Sequence, residues 1–311
     1  MLGYIIRRLI SILFVLWLVT LFLFIAMRWM PGDIASARLG DQATPERVEA
    51  LRQQLGTDKP LVTQYWDWFS GIFTGDLGKS LMTGEPVTSI LSRTLAVTLE
   101  LSLLGWIIGL SISIVPGIIA AVRQDSVWDY GFRLIAIIFL GVPSFWLAVL
   151  ALVYWWTPPV TYKYFFDDPI YNLKQFITPA LCIAVGGAAF QIRMIRSAML
   201  EVLRQDYIRT AWSKGLRERV VVMRHAVKNA FIPVFTVWGM ALAFLLGGEV
   251  IMEQIFSLPG MGRTTYGAIL NRDYPVVQSL VLVIASWIVF MNLVTDLLYG
   301  YLDPRIKLAG K

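Results

Sequence analysis

With 311 residues, 57% of them apolar and only 15% charged, the chain carries too few charges to cover a water-facing surface, where a soluble domain holds about a quarter. Its charges are bunched between long apolar runs and its mean hydropathy is +0.65, so the solvent over most of its length is lipid. A formal net charge of +6 reads as cations retained in cytoplasmic loops rather than as a nucleic-acid surface. One cysteine, Cys182, and one histidine, His225, exclude an intrachain disulfide and argue against a His/Cys metal site.

The first apolar run, 9–27, follows Arg7-Arg8. Ala35-Ser36-Ala37 resembles a cleavage site, but a signal core is roughly 7–15 residues and this run approaches the ~20 needed to cross hydrocarbon, so a retained anchor is expected. Five more runs follow at about 95–122, 134–156, 179–194, 233–252 and 277–299. Gly105 and Gly109 form a small-residue face in the second, and the fourth is rich in small residues (Ala184, Gly186, Gly187, Ala188, Ala189), which suits close helix packing. Pro116 and Pro143 are expected inside spans, their freed backbone groups satisfied by neighbouring helices. The expectation is an all-α polytopic membrane protein with six transmembrane helices.

Counting cations in the short loops orients it. With the N-terminus inside, Arg7, Arg8, Arg123, Arg133, a cluster from Arg193 and Arg196 through Arg224 to Lys228, and Arg305, Lys307 and Lys311 are all cytoplasmic. The opposite segment 31–93 carries more acids than cations. Both termini are expected in the cytoplasm. The division is an N-terminal transmembrane helix over 1–30, an extracytoplasmic loop with short helices over 31–93, a five-helix core over 94–300 containing a cytoplasmic loop at 195–232, and a cytoplasmic tail over 301–311.

In the outer loop, Pro45-Glu46-Arg47 opens a helical pattern that Gly56 stops. Tyr65-Trp66-Asp67-Trp68-Phe69 is amphipathic and aromatic enough for the membrane interface. The loop reads either as a cap on the bundle or as a docking surface for an external partner. Gly78-Lys79-Ser80 is similar to the end of a phosphate-binding loop, but Phe73 stands where that motif needs a glycine, and no strand precedes it.

The inner loop is the most informative stretch. Residues 197–214 read as a helix, Gly215 interrupts it, and 216–225 read as a second, short helix with one apolar and one basic stripe. Such a hairpin either rests on anionic lipid headgroups or lays its apolar face into a partner's groove. Gly215 is either a hinge or a helix cap.

Fragments along nearly the whole chain carry a resemblance. They include Met30-Pro31-Gly32-Asp33, Gly75-Asp76-Leu77-Gly78-Lys79-Ser80, Val142-Pro143-Ser144-Phe145-Trp146, Asp206-Tyr207-Ile208-Arg209-Thr210-Ala211 with Lys214-Gly215-Leu216, Leu258-Pro259-Gly260-Met261-Gly262, and Asn271-Arg272-Asp273-Tyr274-Pro275. In this order and spacing the chain resembles the peptide/nickel (oligopeptide/dipeptide) family of ABC importer permeases, in its first-permease branch. That resemblance implies a type I ABC importer permease fold in a bacterial cytoplasmic membrane. It also implies a second homologous permease subunit, two ATP-binding subunits that hold ATP and magnesium, and an extracytoplasmic substrate-binding protein. No cofactor and no catalytic residue is expected in this chain, and the cargo is implied to be an oligopeptide or dipeptide, with nickel complexes, glutathione and oligosaccharides also carried within the family.

The family's cytoplasmic Glu-Ala-Ala signature, with its glycine four residues on, falls here on Arg209-Thr210-Ala211 and Gly215; where the general signature has a proline, this chain has Lys228, and Pro233 comes later. The resemblance implies an ATPase-coupling element around 211–220, with Arg209, Thr210, Ala211, Lys214, Gly215, Leu216, Arg217, Arg219 and Val220 as its residues. Intramembrane polar groups (Glu100, Gln191, Glu249, Asn292 and Asp296) are candidates for the pathway or for helix packing. Two other classes compete with the permease. An autonomous channel or secondary transporter would leave the basic hairpin without a role, and an intramembrane enzyme would need a nucleophile–base pair that one loop histidine does not supply.

Overall fold

The computed structural model describes residues 2–29, 32–159, 161–247 and 249–302, and its regular elements there are helices. Met30-Pro31, the tail cations Arg305, Lys307 and Lys311, and the Asp296 side chain lie outside the described residues. In chain order the α-helices are α1 (Leu2–Trp29), α2 (Ile34–Leu39), α3 (Pro45–Leu55), α4 (Leu61–Thr74), α5 (Val87–Val122), α6 (Val127–Gly141), α7 (Ser144–Tyr154), α8 (Pro169–Leu203), α9 (Asp206–Ser213), α10 (Glu218–Val220), α11 (Lys228–Ala243), α12 (Val250–Ile255), α13 (Met261–Leu270) and α14 (Tyr274–Leu302). Seven residues of π-helix, Val221–Val227, join α10 to α11.

Among the described residues, five stretches are long and apolar enough to cross a membrane, and α6 with α7 makes a sixth, bent by 92°. The third expected span, 134–156, is thus present but broken at Pro143. Pro143 lacks an N–H and forces the residue before it out of the helical region; Val142 is extended (φ −96, ψ 115), so α6 ends at Gly141 and α7 starts afresh at Ser144. Pro116, by contrast, is carried inside α5. The fifth span also differs. It runs Glu218–Ala243, so the expected short helix over 216–225 is its foot, and Glu249 falls beyond its end. The expected helix over 197–214 is two: α8 stops at Leu203, Gln205 is extended (ψ 149), and α9 begins at Asp206.

The chain forms two compact units. One comprises Met1–Thr98, Leu246–Glu253 and Pro259–Leu293. In it α1 meets α4 through Tyr65, whose hydroxyl lies 3.1 Å from Thr20 Oγ1 and whose ring meets Phe24 edge-on. The expected signals for α3 are present: Thr44 caps its N-terminus, Pro45 opens it, and Gly56 closes it in the left-handed region (φ 68). Ala35-Ser36-Ala37 lies within α2, with Ala35 fully buried.

The other unit comprises Leu99–Leu245, Gln254–Leu258 and Val294–Lys311. Here α8 is the hub against which α6, α7 and α11 pack. Its contact with α5 is close because α5 presents glycines: a Cβ on Gly105 would lie 3.0 Å from Ile183, and one on Gly117 2.8 Å from Ile195. Ala184, Ala188 and Ala189 are buried as expected, whereas a Cβ on Gly186 would meet open space.

Candidate coupling element and polar locks

The loop predicted to couple is built around α9. Ile208 and Ala211 turn inward, Ile208 without exposed surface, and join an apolar core with Ile195, Met199, Val221, Val222 and Ala226. The opposite face offers Tyr207, Arg209, Thr210 and Trp212 to the outside. Asn229 Nδ2 donates to the Tyr207 hydroxyl at 2.9 Å and to the His225 carbonyl, which ties α9 to the foot of the fifth span. Arg209 stands 3.5 Å from Asp206 with both side chains largely exposed, a pair worth little.

Gly215 sits at φ +73, its N–H donating to the Trp212 carbonyl, while Lys214 N–H reaches Thr210. This is the geometry of a left-handed helix cap, and a Cβ there would meet open space, so the need for glycine is conformational rather than steric. The chain is extended at Arg217 (ψ 143) before α10 begins. Arg209, Thr210, Ala211, Lys214 and Gly215 are therefore one compact element with Leu216 at its exit, while Arg217, Arg219 and Val220 stand at the foot of the fifth span.

The intramembrane candidates separate. Ser113 Oγ donates to Gln191 Oε1 at 2.8 Å, both side chains buried, so Gln191 holds α5 to α8. Glu100 is half-buried, and its Oε1 has no partner among the described residues. Asn292 is exposed. Glu249 is half-buried just before α12, where burial and then the charge of Glu253 push its carboxyl up to about 7.

Three buried acid sites went unpredicted. Asp129, fully buried in the first turn of α6, takes a two-pronged ion pair from Arg196 (2.7 and 2.8 Å) with Arg133 at 3.3 Å, and accepts from Asp125 N–H. This locks α6 to α8. Glu253, without exposed surface, accepts from Thr98 Oγ1 at 2.6 Å and from Arg263 N–H at 2.8 Å; Thr98 Oγ1 in turn accepts from Met261 N–H. The acid thereby caps the N-terminus of α13, where a carboxylate is favoured, though burial still raises its pKa. A Cβ on Gly260 would overlap its carboxylate, and one on Gly262 would crowd it and Val250. Asp273 accepts from Ser80 Oγ and Leu81 N–H, so the phosphate-loop look-alike is a structural turn. Among the described residues no group of His, Cys, Asp and Glu could hold a metal ion.

The acids Asp273 and Asp129 had a visible signal. Asp273 stands in a quoted motif, and Asp129 follows the N-cap Ser126 by three residues. Glu253 offered none, because its partners lie up to 155 positions away.

Comparison with known proteins bears on the whole chain. Residues 113–308 match the family described as "Binding-protein-dependent transport system inner membrane component", and residues 1–102 match the N-terminal region of such membrane components. A Brucella abortus (strain 2308) protein carrying the name of a peptide transport system permease is 41% identical over 312 residues, covering 99% of this chain and 99% of that protein. The dipeptide transport system permease of Alkalihalophilus pseudofirmus is 40% identical over 332 residues, covering 99% of this chain and all of the relative. A peptide ABC transporter permease of Sinorhizobium fredii is 36% identical, with 98% and 99% covered. By these matches, at both ends and throughout, the chain belongs to the family of inner membrane components of binding-protein-dependent transport systems.

Proposed function

We propose that this chain is one of two homologous permease subunits of an ATP-driven peptide importer in a bacterial cytoplasmic membrane, and that α9 couples it to an ATP-binding subunit on the cytoplasmic side. The cargo assignment, oligopeptide or dipeptide, rests on the peptide and dipeptide permeases to which the chain is similar over its full length. Two ATP-binding subunits supply nucleotide and magnesium chemistry, and an extracytoplasmic protein delivers the peptide. The chain itself performs no catalysis.

The observation that carries the coupling role is the division of α9 into two faces. Its buried face is continuous with the core between α8 and α11, and its exposed face presents Tyr207, Arg209 and Trp212. A partner that displaces the outer face moves the inner one, because a packed core transmits strain rather than absorbing it. Nucleotide drives the cycle insofar as the partner binds one arrangement of this core better than the other.

The test uses the assembled complex in proteoliposomes, measuring peptide uptake and substrate-stimulated ATP hydrolysis together. Gly215→Val forces a β-branched side chain into the left-handed region and Arg209→Glu reverses the charge of the outer face. Both are expected to abolish uptake while the chain still inserts. Full uptake in both variants, or uptake by the purified chain alone driven by an ion gradient, removes the assignment.

A further inference from the structure

At the feet of α5, α6 and the fifth span lies a cavity of about 820 Å³ for which the coupling role has no use. Its walls are of two kinds. Ile118, Ile119, Val122, Phe132 and Val222 make an apolar trough, and Arg123, Arg217 and Arg219 stand around it. The three arginines are exposed, no described carboxylate forms an ion pair with them, and Glu218 is the one acid among the residues lining the cavity. Trp128, also in the wall and 61% exposed, stacks on Phe132 at the end of a membrane-crossing helix, the depth where indole rings collect.

An apolar trough by itself admits many occupants, but this one counts three arginines among its lining residues. Guanidinium groups match phosphate oxygens in pairs, and hydrocarbon satisfies the trough, so one molecule must carry both. We propose that the cavity binds an anionic glycerophospholipid, its phosphate on Arg123, Arg217 and Arg219 and an acyl chain along Ile118, Val122 and Phe132. Basic pockets between membrane helices hold anionic headgroups in this way. A protein partner is better served by α9, whose outward face presents Tyr207 and Trp212. The site assigns Arg217 and Arg219 to lipid and leaves coupling to α9, so either role can fail without the other.

The experiment takes the assembled complex into nanodiscs of equal phosphatidylglycerol and phosphatidylcholine, re-extracts it in mild detergent and counts retained lipid by mass spectrometry. Phosphatidylglycerol is expected in excess. The triple variant Arg123→Gln, Arg217→Gln, Arg219→Gln should lower its retention roughly a hundredfold, since each surface cation contributes about a factor of five. The corresponding lysine variant, which keeps the charges but not the paired donors and guards against a folding defect, should restore part of it. Met223 also lines the cavity; Met223→Trp, which fills the trough but spares the arginines, should likewise reduce retention, and Arg204→Gln, outside the cavity, should not. Equal retention of both lipids, no loss in the glutamine variant, or no restoration by lysine overturns the proposal. So does displacement by millimolar inorganic phosphate, which marks a simple anion site, or cross-linking of Met223→Cys to a partner subunit, which marks a protein-covered surface.

Discussion

Two short helices, α13 and α9, are seated in opposite ways. The start of α13 is held by buried polar atoms: Glu253 takes the Arg263 N–H, Thr98 takes the Met261 N–H, and the two side chains bond to each other. The α9 helix is held by apolar contact through Ile208 and Ala211, with its polar side chains turned outward. Buried polar seating is directional, and each member must keep its partner; apolar seating is non-directional and tolerates a small slide. A frame calls for the first kind of seat and a lever for the second. On this ground motion is expected in α9 rather than at the start of α13.

In the unit that contains α9, α6 is polar-seated too, through Asp129 and Arg196. Asp129→Ala leaves the largely buried Arg196 without its counter-charge, and removing one partner of such a pair costs about 3 kcal/mol or more. Asp129→Leu with Arg196→Met should cost much less. Thermal unfolding of the detergent-solubilised complex reads both. Equal losses in the single and double variants would mean that the lock is packing rather than charge.

Next in size is the glycine cradle. Gly260→Ala places a methyl group onto the Glu253 carboxylate, and overpacking of this kind costs about 1–3 kcal/mol. In a Glu253→Ala background the same change should cost far less, so the double-mutant cycle should show a strong coupling. Additive losses would show that the glycine serves its own backbone rather than the acid. At α9 the matching swap, Ile208→Leu, should cost under about 1.5 kcal/mol.

What could be read ahead of the structure follows the range of the forces involved. Thr44, Pro45 and Gly56 around α3, and Gly215 after α9, act within a few residues, and local pattern found them. Pro116 and Pro143 look alike in the sequence, each inside an apolar run, yet α5 carries one and the third span breaks at the other. Arg196 was counted as a loop cation because counting along the chain does not see Asp129, 67 positions away. The helix break at Gln205 and the continuation of 218–243 escaped the pattern, since periodicity runs on through a single extended residue. Family resemblance supplied the architecture that pattern alone left open.

A smaller effect tests the polar seat through pH. Burial and the neighbouring Glu253 raise the Glu249 carboxyl from 4.5 to about 7. Between those values the folded chain holds a proton that the unfolded chain has released, so this group's contribution to stability falls as pH rises through that window. The melting temperature of the complex should drop from pH 5 to pH 7.5, and Glu249→Gln should flatten part of the slope, with Glu253, raised in the same direction, contributing the rest. An unchanged slope in the variant would place the titration elsewhere.

The smallest expected change in stability falls at α9 itself, where the two kinds of seat meet. The Asn229–Tyr207 hydrogen bond is exposed, so Asn229→Ala should cost no more than about 0.5–1.5 kcal/mol. If α9 is a lever whose apolar seat lets it slide, this bond is what sets its angle against the fifth span. Its loss should then lower the peptide taken up per ATP hydrolysed while assembly and melting temperature barely move. Tyr207→Phe, which removes the acceptor but keeps the ring, should show the same defect. A variant that melts early yet transports with full stoichiometry would make the bond an ordinary strut, and the contrast between the two helices would reduce to one of composition alone.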